Sequence, residues 1–403
     1  MPEELVILST NPPYLYKWTD AGILISIDRI DDGKKAVTAE ITIETYPKLE
    51  HIWQSRFNLT SPRARIDLAK MLKPQIPQIE PILENLCLNF LKRLRRGEPV
   101  VEVGNLPRRT ELDYRLKPFI IENELNLIFG AGGIGKSYFA TLCALLVQTG
   151  WQFGNLKAKK GNVLYLDYET SAEELNERIW SLKEGLQITT EETIFYRLCS
   201  HPLCEDLPEI RRAIGERNIE FLVVDSIGGA CGGEPESAEV TLRLFSSIRS
   251  LKVTPLCIDH VAKVGVAGTP FGSIYKLNSV RNLWEMKKNQ EPGEDFLEIG
   301  LIHRKINVGK QLSPIGYRFD FQGTKTAISE IEPSNIPELT KDLSIKQRVK
   351  SLLLVEGAMT VAQIADELGD PPSSVKKALQ RGKDKTFTKV DKLSWGILSN
   401  ELY

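Results

Sequence analysis

Eight consecutive residues, Gly130, Ala131, Gly132, Gly133, Ile134, Gly135, Lys136 and Ser137, have the types and spacing to hold a polyphosphate. In the pattern G-x-x-x-x-G-K-S, backbone N–H groups curl round phosphate oxygens, the Lys136 ammonium reaches between the β and γ phosphates, and the Ser137 hydroxyl is offered to Mg²⁺. Glycine lets the backbone come that close, where a side chain would block it. A flexible glycine turn ahead of a helix is the alternative. The apolar run 125–129 before the loop and the helix-like run 138–146 after it give the strand, loop, helix order that a phosphate site needs. Mg²⁺ and ATP are therefore the expected ligands, with Tyr138 counted among the nucleotide-binding residues.

Three further residues could complete a hydrolytic site. Asp225 ends the apolar run 220–225, where a carboxylate at the carboxyl edge of a parallel sheet would orient Mg²⁺ or its water. A strand-end turn aspartate is the alternative. Glu169 follows the run 163–168 and would share that edge, able to polarise an attacking water. The stretch 170–174 is itself a helix-start signal, so a capping role competes. His260 closes the run 255–260 and could report loss of the γ-phosphate to the following loop, or be structural. The glycine-rich stretches 227–237 and 264–272 follow two of these strands. At the mouth of a ring they could track a nucleic-acid strand, with Lys263 supplying charge and Phe271 an apolar contact; a lid is the alternative.

The elements that must position these residues read as an α/β fold. From about 110 to 325, short apolar strands alternate with helices, the mark of a parallel sheet covered on both faces, with closing antiparallel strands at 296–302 and 315–321. Ahead of this core, residues 1–105 read as a small α+β domain of unknown role. It holds a hairpin at 22–27 and 36–43 and helical patterns at about 46–57, 61–72 and 79–94. Its basic residues could touch phosphate, though solvated helix faces explain them too.

Residues 326–343 read as a linker, and 344–403 as a separate domain. That last stretch has helices at 345–355, 361–368 and 373–381, with Thr360 as an N-cap, and a two-stranded wing within 387–398. Helix, turn, capped helix and wing resemble a winged helix-turn-helix. Between 373 and 392 seven basic residues, including Lys376, Lys377 and Arg381, face two acidic ones, an excess suited to a phosphate backbone. Docking to protein is the alternative.

Composition narrows the classes. The 403 residues carry 52 basic and 53 acidic side chains, so any nucleic-acid contact must come from local patches. The six cysteines are scattered, with no metal-ligand spacing, and read as reduced thiols of a cytoplasmic protein. No leader or membrane partner is expected.

In this order the motifs resemble a family. GAGGIGKS, VLYLDYETSAEELNERI, FLVVDSIGGACGGEPE, CIDHVAK, GTPFGSIYKLNSVRNLW and HRKINVGK are similar to the RecA-like ATPases of the hexameric helicase group, of the RepA plasmid and DnaB-like phage types. The likeness spans about residues 110–325. It implies a ring-forming DNA motor, a homohexamer with ATP between subunits and single-stranded DNA on the ring loops, the winged helix adding duplex contact. A non-translocating ATP switch, acting as a DNA-bound regulator or recombination mediator, is the other expectation. By the same resemblance Lys136 and Ser137 hold nucleotide and Mg²⁺, Glu169 is the catalytic glutamate, Asp225 the second acidic motif and His260 the sensor. Arg178 falls near the base. Arg304 and Lys305 best match the basic finger that reaches a neighbouring site. Here the chain departs from the family's Lys-x-Arg-x-Gly, having Lys305-Ile-Asn307-Val-Gly309.

Overall fold

A computed structural model describes residues 5–9, 13–33, 35–96, 100–104, 111–234, 236–261, 274–333, 336, 339 and 343–398. Two compact units divide the chain, one of residues 1–111 with 203–219, the other of 112–202 with 220–403.

In the first unit five strands, β1 (Leu5–Ile7), β2 (Tyr14–Trp18), β3 (Ile23–Asp32), β4 (Val37–Thr45) and β5 (His51–Asn58), lie side by side in chain order, all antiparallel. Strict alternation puts Val37, Ala39, Ile41 and Ile43 on one buried face. Helices α1 (Pro62–Leu72) and α2 (Ile79–Arg96) contribute to the same core. Ser61 caps α1 by accepting from the Ala64 N–H at 3.2 Å, and Pro62 fits the first turn. On α2, Ile79, Ile82, Leu83, Leu86 and Phe90 recur at helical spacing and are buried.

The helix expected over 46–57 is instead β5. After Tyr46-Pro47 the chain turns back along the open edge of β4, where Ile52, Trp53 and Phe57 suit a pleated, half-buried surface. Tertiary pairing overrides the helical spacing. Residues 203–219, expected within the ATPase domain, group with the N-terminal residues. Their helix Leu207–Arg217 pairs with β3 through Arg212 to Asp28, and Arg29 Nε reaches Glu209 Oε1 at 2.8 Å.

The second unit begins with β6 (Tyr114–Lys117) and β7 (Ile120–Ile121), then β8 (Asn126–Gly130), the phosphate loop and α3 (Lys136–Thr149). There follow β9 (Gln152–Phe153), β10 (Leu156–Ala158), β11 (Asn162–Asp167), α4 (Ala172–Leu186) and β12 (Phe195–Leu198). After the N-terminal unit's insertion come β13 (Ile219–Asp225), a helix at Ala238–Ser250, β14 (Thr254–His260) and a short helix at Ile274–Ser279. The chain closes this core with β15 (Asn282–Asn289), β16 (Phe296–Ile306), β17 (Ile315–Gln322) and β18 (Lys325–Ile331).

Nine of these strands form one sheet, ordered β12-β11-β13-β14-β8-β15-β16-β17-β18. The pairs β11/β12, β13/β14, β14/β8 and β8/β15 are parallel, and β15 to β18 run antiparallel in turn. The α/β class with a parallel centre is as expected. One difference concerns 326–343, which does not begin as a linker: its first residues are β18, bonded to β17. Helix α3 is buried along most of its length, so it reads as core and not as an amphipathic surface helix.

The remaining residues form helices Ile345–Glu356, Val361–Leu368 and Pro372–Arg381 with strands β19 (Met359–Thr360), β20 (Phe387–Lys389) and β21 (Ser394–Ile397), ordered β19-β21-β20. Ser344 and Thr360 both make complete capping boxes, with Gln347 and Gln363. Strand β19 is an addition to the expected two strands, two residues too short to carry a period of their own. No described helix is long and apolar enough to cross a membrane.

Candidate active site

The carboxyl ends of β8, β11, β13 and β14 meet at one sheet edge, because parallel strands present all their ends on the same side. A cleft of about 290 Å³ lies there, within the second unit. It is lined by Gly133, Ile134, Gly135, Lys136, Ser137, Tyr138, Glu169, Arg178, Asp225 and His260, together with Ile258, Gln290, Leu297 and Phe321.

The loop's glycines differ in what constrains them. A Cβ on Gly130 would come within 2.3 Å of Ile134 Cδ1 and 2.5 Å of the Met286 carbonyl oxygen. Gly135, at φ +88°, would meet Leu297 Cδ2 at 2.5 Å. Gly133 has φ +67° with open space before it, while Gly132 has neither constraint. At 130 and 135 the protein itself is what a side chain would strike first, a packing reason beyond the close approach of phosphate.

Lys136 opens α3 and is buried, its ammonium donating to the Gly130 oxygen at 3.0 Å and the Ala131 oxygen at 2.6 Å. A long contact of 3.4 Å runs from it to His260 Nδ1. Burial pulls its pKa down, and Asp225, Glu169 and Asp259 oppose that. Since an ammonium only donates, His260 Nδ1 is the acceptor and the ring proton sits on Nε2, aimed at Glu169 Oε1 at 3.4 Å. Glu169 also receives the Ser226 hydroxyl on the same oxygen.

The position of Glu169 is set by Asp167, the buried last residue of β11. Its Oδ1 accepts the N–H groups of Glu169 and Thr170, each at 2.9 Å, and its Oδ2 accepts the Thr170 hydroxyl at 2.6 Å and the Tyr196 hydroxyl at 3.3 Å. Ser171 caps α4, accepting from the Glu174 N–H at 3.3 Å. The capping role open to Glu169 is therefore filled by another residue.

Asp225 ends β13. Tyr165, fully inside β11, donates its hydroxyl to Asp225 Oδ2 at 2.6 Å. Asp225 Oδ1 is buried with no hydrogen-bond partner among the described residues. Burial raises the Asp225 pKa, and the Tyr165 and Ser137 hydroxyls oppose the rise. A buried, uncommitted carboxylate oxygen beside a hydroxyl is an oxygen donor set that fits Mg²⁺, which keeps several waters and takes few protein ligands. The residues present fit the ion.

At the outer wall Arg178 is held by Glu174, one turn earlier on α4. The Tyr138 hydroxyl bonds Thr326 Oγ1 at 2.7 Å, and its ring stands edge-on to Phe319 and Phe321 at 5.6 and 5.7 Å. Lys288 on β15 reaches the Gly133 oxygen at 3.4 Å.

Several sequence expectations lie elsewhere. Arg304 pairs with Glu285, its Nε 2.6 Å from Oε2, and the Lys305 ammonium donates to the Leu277 oxygen and, at 2.9 Å, the Val280 oxygen. Neither lines the cleft. Lys376, Lys377 and Arg381 are exposed on the helix Pro372–Arg381. Lys263 and Phe271 lie outside the described residues.

Sequence reasoning missed Asp167, Tyr165, Ser226, Gln290, Leu297 and Phe321. Tyr165 and Asp167 lay hidden inside an apolar strand, where their polar atoms are the only signal. Phe321 and Leu297 come from strands remote in sequence, and no local pattern announces them.

Comparison with known proteins adds three findings. A family model described as AAA domain matches residues 92–266. A KaiC-like protein from the hyperthermophilic archaeon Pyrococcus horikoshii OT3 is similar at 17% identity, over 55% of this chain and 99% of its own, with a TM-score of 0.38. No curated protein matches the chain. The AAA-domain match takes in the phosphate loop and the strand ends that carry Glu169, Asp225 and His260, and the sheet that presents them is parallel at its centre.

Proposed function

We propose that this chain is a P-loop ATPase with a RecA-like core and works as a DNA motor, a ring-forming helicase of the replicative type serving a phage, plasmid or mobile element. The observation that carries the hydrolytic half is the placement of Glu169, fixed by Asp167, Ser226 and His260 at the same sheet edge as Lys136 and Asp225. ATP enters with its phosphates on the loop amides. Ser137 and Asp225 would hold Mg²⁺, which when bound would supply charge neutralisation on the phosphate oxygens. Glu169 orients and deprotonates the attacking water, and Lys136 swings from the loop carbonyls onto the transferring phosphoryl group. His260 joins the Glu169 carboxylate to the Lys136 ammonium, so it senses whether that ammonium is engaged by phosphate.

The ring and the DNA rest on other observations. Among the described residues the cleft's own basic side chains are Lys136, His260 and Arg178, the last already paired, so a neighbour's Arg304 or Lys305 is the proposed finger. Three helices, a three-stranded sheet and exposed Lys376, Lys377 and Arg381 support reading 344–403 as a winged helix on duplex DNA.

A second reading, the non-translocating switch, is favoured by one observation. Arg304 and Lys305 are both engaged within their own chain and would have to exchange partners to act as fingers. Strand displacement on a forked duplex separates the two. A motor unwinds it in an ATP-dependent way and its turnover rises strongly with single-stranded DNA; slow turnover with duplex binding and no unwinding would establish the switch.

A further inference from the structure

We propose that Tyr165 is a positioning residue for the metal: its phenol fixes the Asp225 carboxylate so that Oδ1 is held toward the Mg²⁺ position beside Ser137. The inference rests on the nucleotide reading above and deepens it.

Asp225 has two oxygens with opposite surroundings. Oδ2 receives the Tyr165 hydroxyl at 2.6 Å, a short O–H···O bond to a carboxylate, and Oδ1, although buried, has no hydrogen-bond partner among the described residues. An unpaired buried acceptor is costly, and native folds keep one where a ligand is to be met. A carboxylate at a strand end could otherwise turn its plane about its last bond and swing its oxygens away from Ser137. With one oxygen held by the phenol, that plane is fixed and the direction of the other oxygen is set with it.

Tyr165 can do this because of where it sits. It points from β11, the neighbour of β13 in the sheet, and its ring is 1% exposed within the main core. The ring is therefore held rigidly by packing, and the hydroxyl is brought to Asp225 with little freedom left to lose. A phenylalanine would fill the same space and leave the carboxylate without its donor. Outer partners of metal-holding carboxylates commonly act in this way.

The test is Tyr165→Phe, read by binding of a fluorescent ATP analogue while MgCl₂ is titrated and, separately, in EDTA. The expected result is a rise of roughly 10-fold in the Mg²⁺ concentration for half-maximal enhancement of binding, with affinity in EDTA unchanged. An unaltered Mg²⁺ requirement, or an equal loss in EDTA, overturns the proposal, since the second marks a packing role. Should Tyr165→Phe fail to fold, the double variant with Asp225→Asn decides. If it folds with the Mg²⁺ dependence of Asp225→Asn alone, the phenol acts through the carboxylate; if it too fails, or differs, the proposal falls. Wild-type protein that binds no nucleotide in either buffer contradicts the ATPase reading instead.

Discussion

Asp167 and Asp225 end neighbouring strands of one sheet, are both buried, and have opposite surroundings. Every lone-pair direction that matters on Asp167 is used, by two backbone N–H groups and two hydroxyls. Asp225 keeps one oxygen unclaimed. A saturated carboxylate serves as scaffold and a half-satisfied one is left able to take a ligand, so residue type and strand-end position do not identify a candidate functional group by themselves. Asp259, at the next strand end, falls on the scaffold side. Its Oδ2 meets the buried Lys276 ammonium at 2.8 Å and its Oδ1 accepts the His260 N–H.

Substitution should separate the two aspartates. Asp225→Asn is expected to lower Mg²⁺-dependent turnover by at least about 100-fold while leaving the thermal unfolding temperature nearly unchanged, because the amide oxygen can keep the Tyr165 hydroxyl and the amide nitrogen takes the place of Oδ1, which has no hydrogen-bond partner among the described residues. Asp167→Ala should do the reverse in emphasis. Stranding the Glu169 and Thr170 N–H groups costs about 1–3 kcal/mol of stability, measurable by urea unfolding. Equal stability loss in the two variants would erase the distinction.

A smaller effect sharpens the contrast between charge meant for a ligand and polarity meant for the core. His303 is stacked on Trp284 at 4.1 Å, accepts the Leu312 N–H on Nδ1 and sits 2.9 Å from Asn282 Oδ1 through Nε2. Burial lowers its pKa from 6.5 to about 4. The folded state thus resists a proton that the unfolded chain accepts, so its contribution is whole above about pH 6.5 and lost as pH falls toward 4. The unfolding temperature of His303→Gln should fall less between pH 7 and pH 5 than that of the wild type.

The phosphate loop was legible because its glycines and lysine form a contiguous pattern tied to one geometry, and Gly135, Lys136 and Ser137 line the cleft accordingly. Glu169, Asp225 and His260 were legible as strand ends, since the parallel sheet itself brings such ends together. What stayed hidden depends on distance in sequence. Tyr165 reads as one more apolar strand residue until Asp225, sixty positions on, is placed opposite it. The β5 strand was mistaken for helix because its pairing with β4 is decided by the turn, and the grouping of 203–219 with the N-terminal residues depends on ion pairs that no local signal carries.

The central claim is that Glu169, at this edge, turns a bound triphosphate over to water. The direct measurement compares Glu169→Gln with wild type for binding of labelled ATP and for release of phosphate, with Mg²⁺ present. The account predicts binding retained and turnover reduced by about 10²–10⁴-fold, with Lys136→Ala losing turnover as well. A Glu169→Gln protein that hydrolyses ATP at the wild-type rate would contradict it.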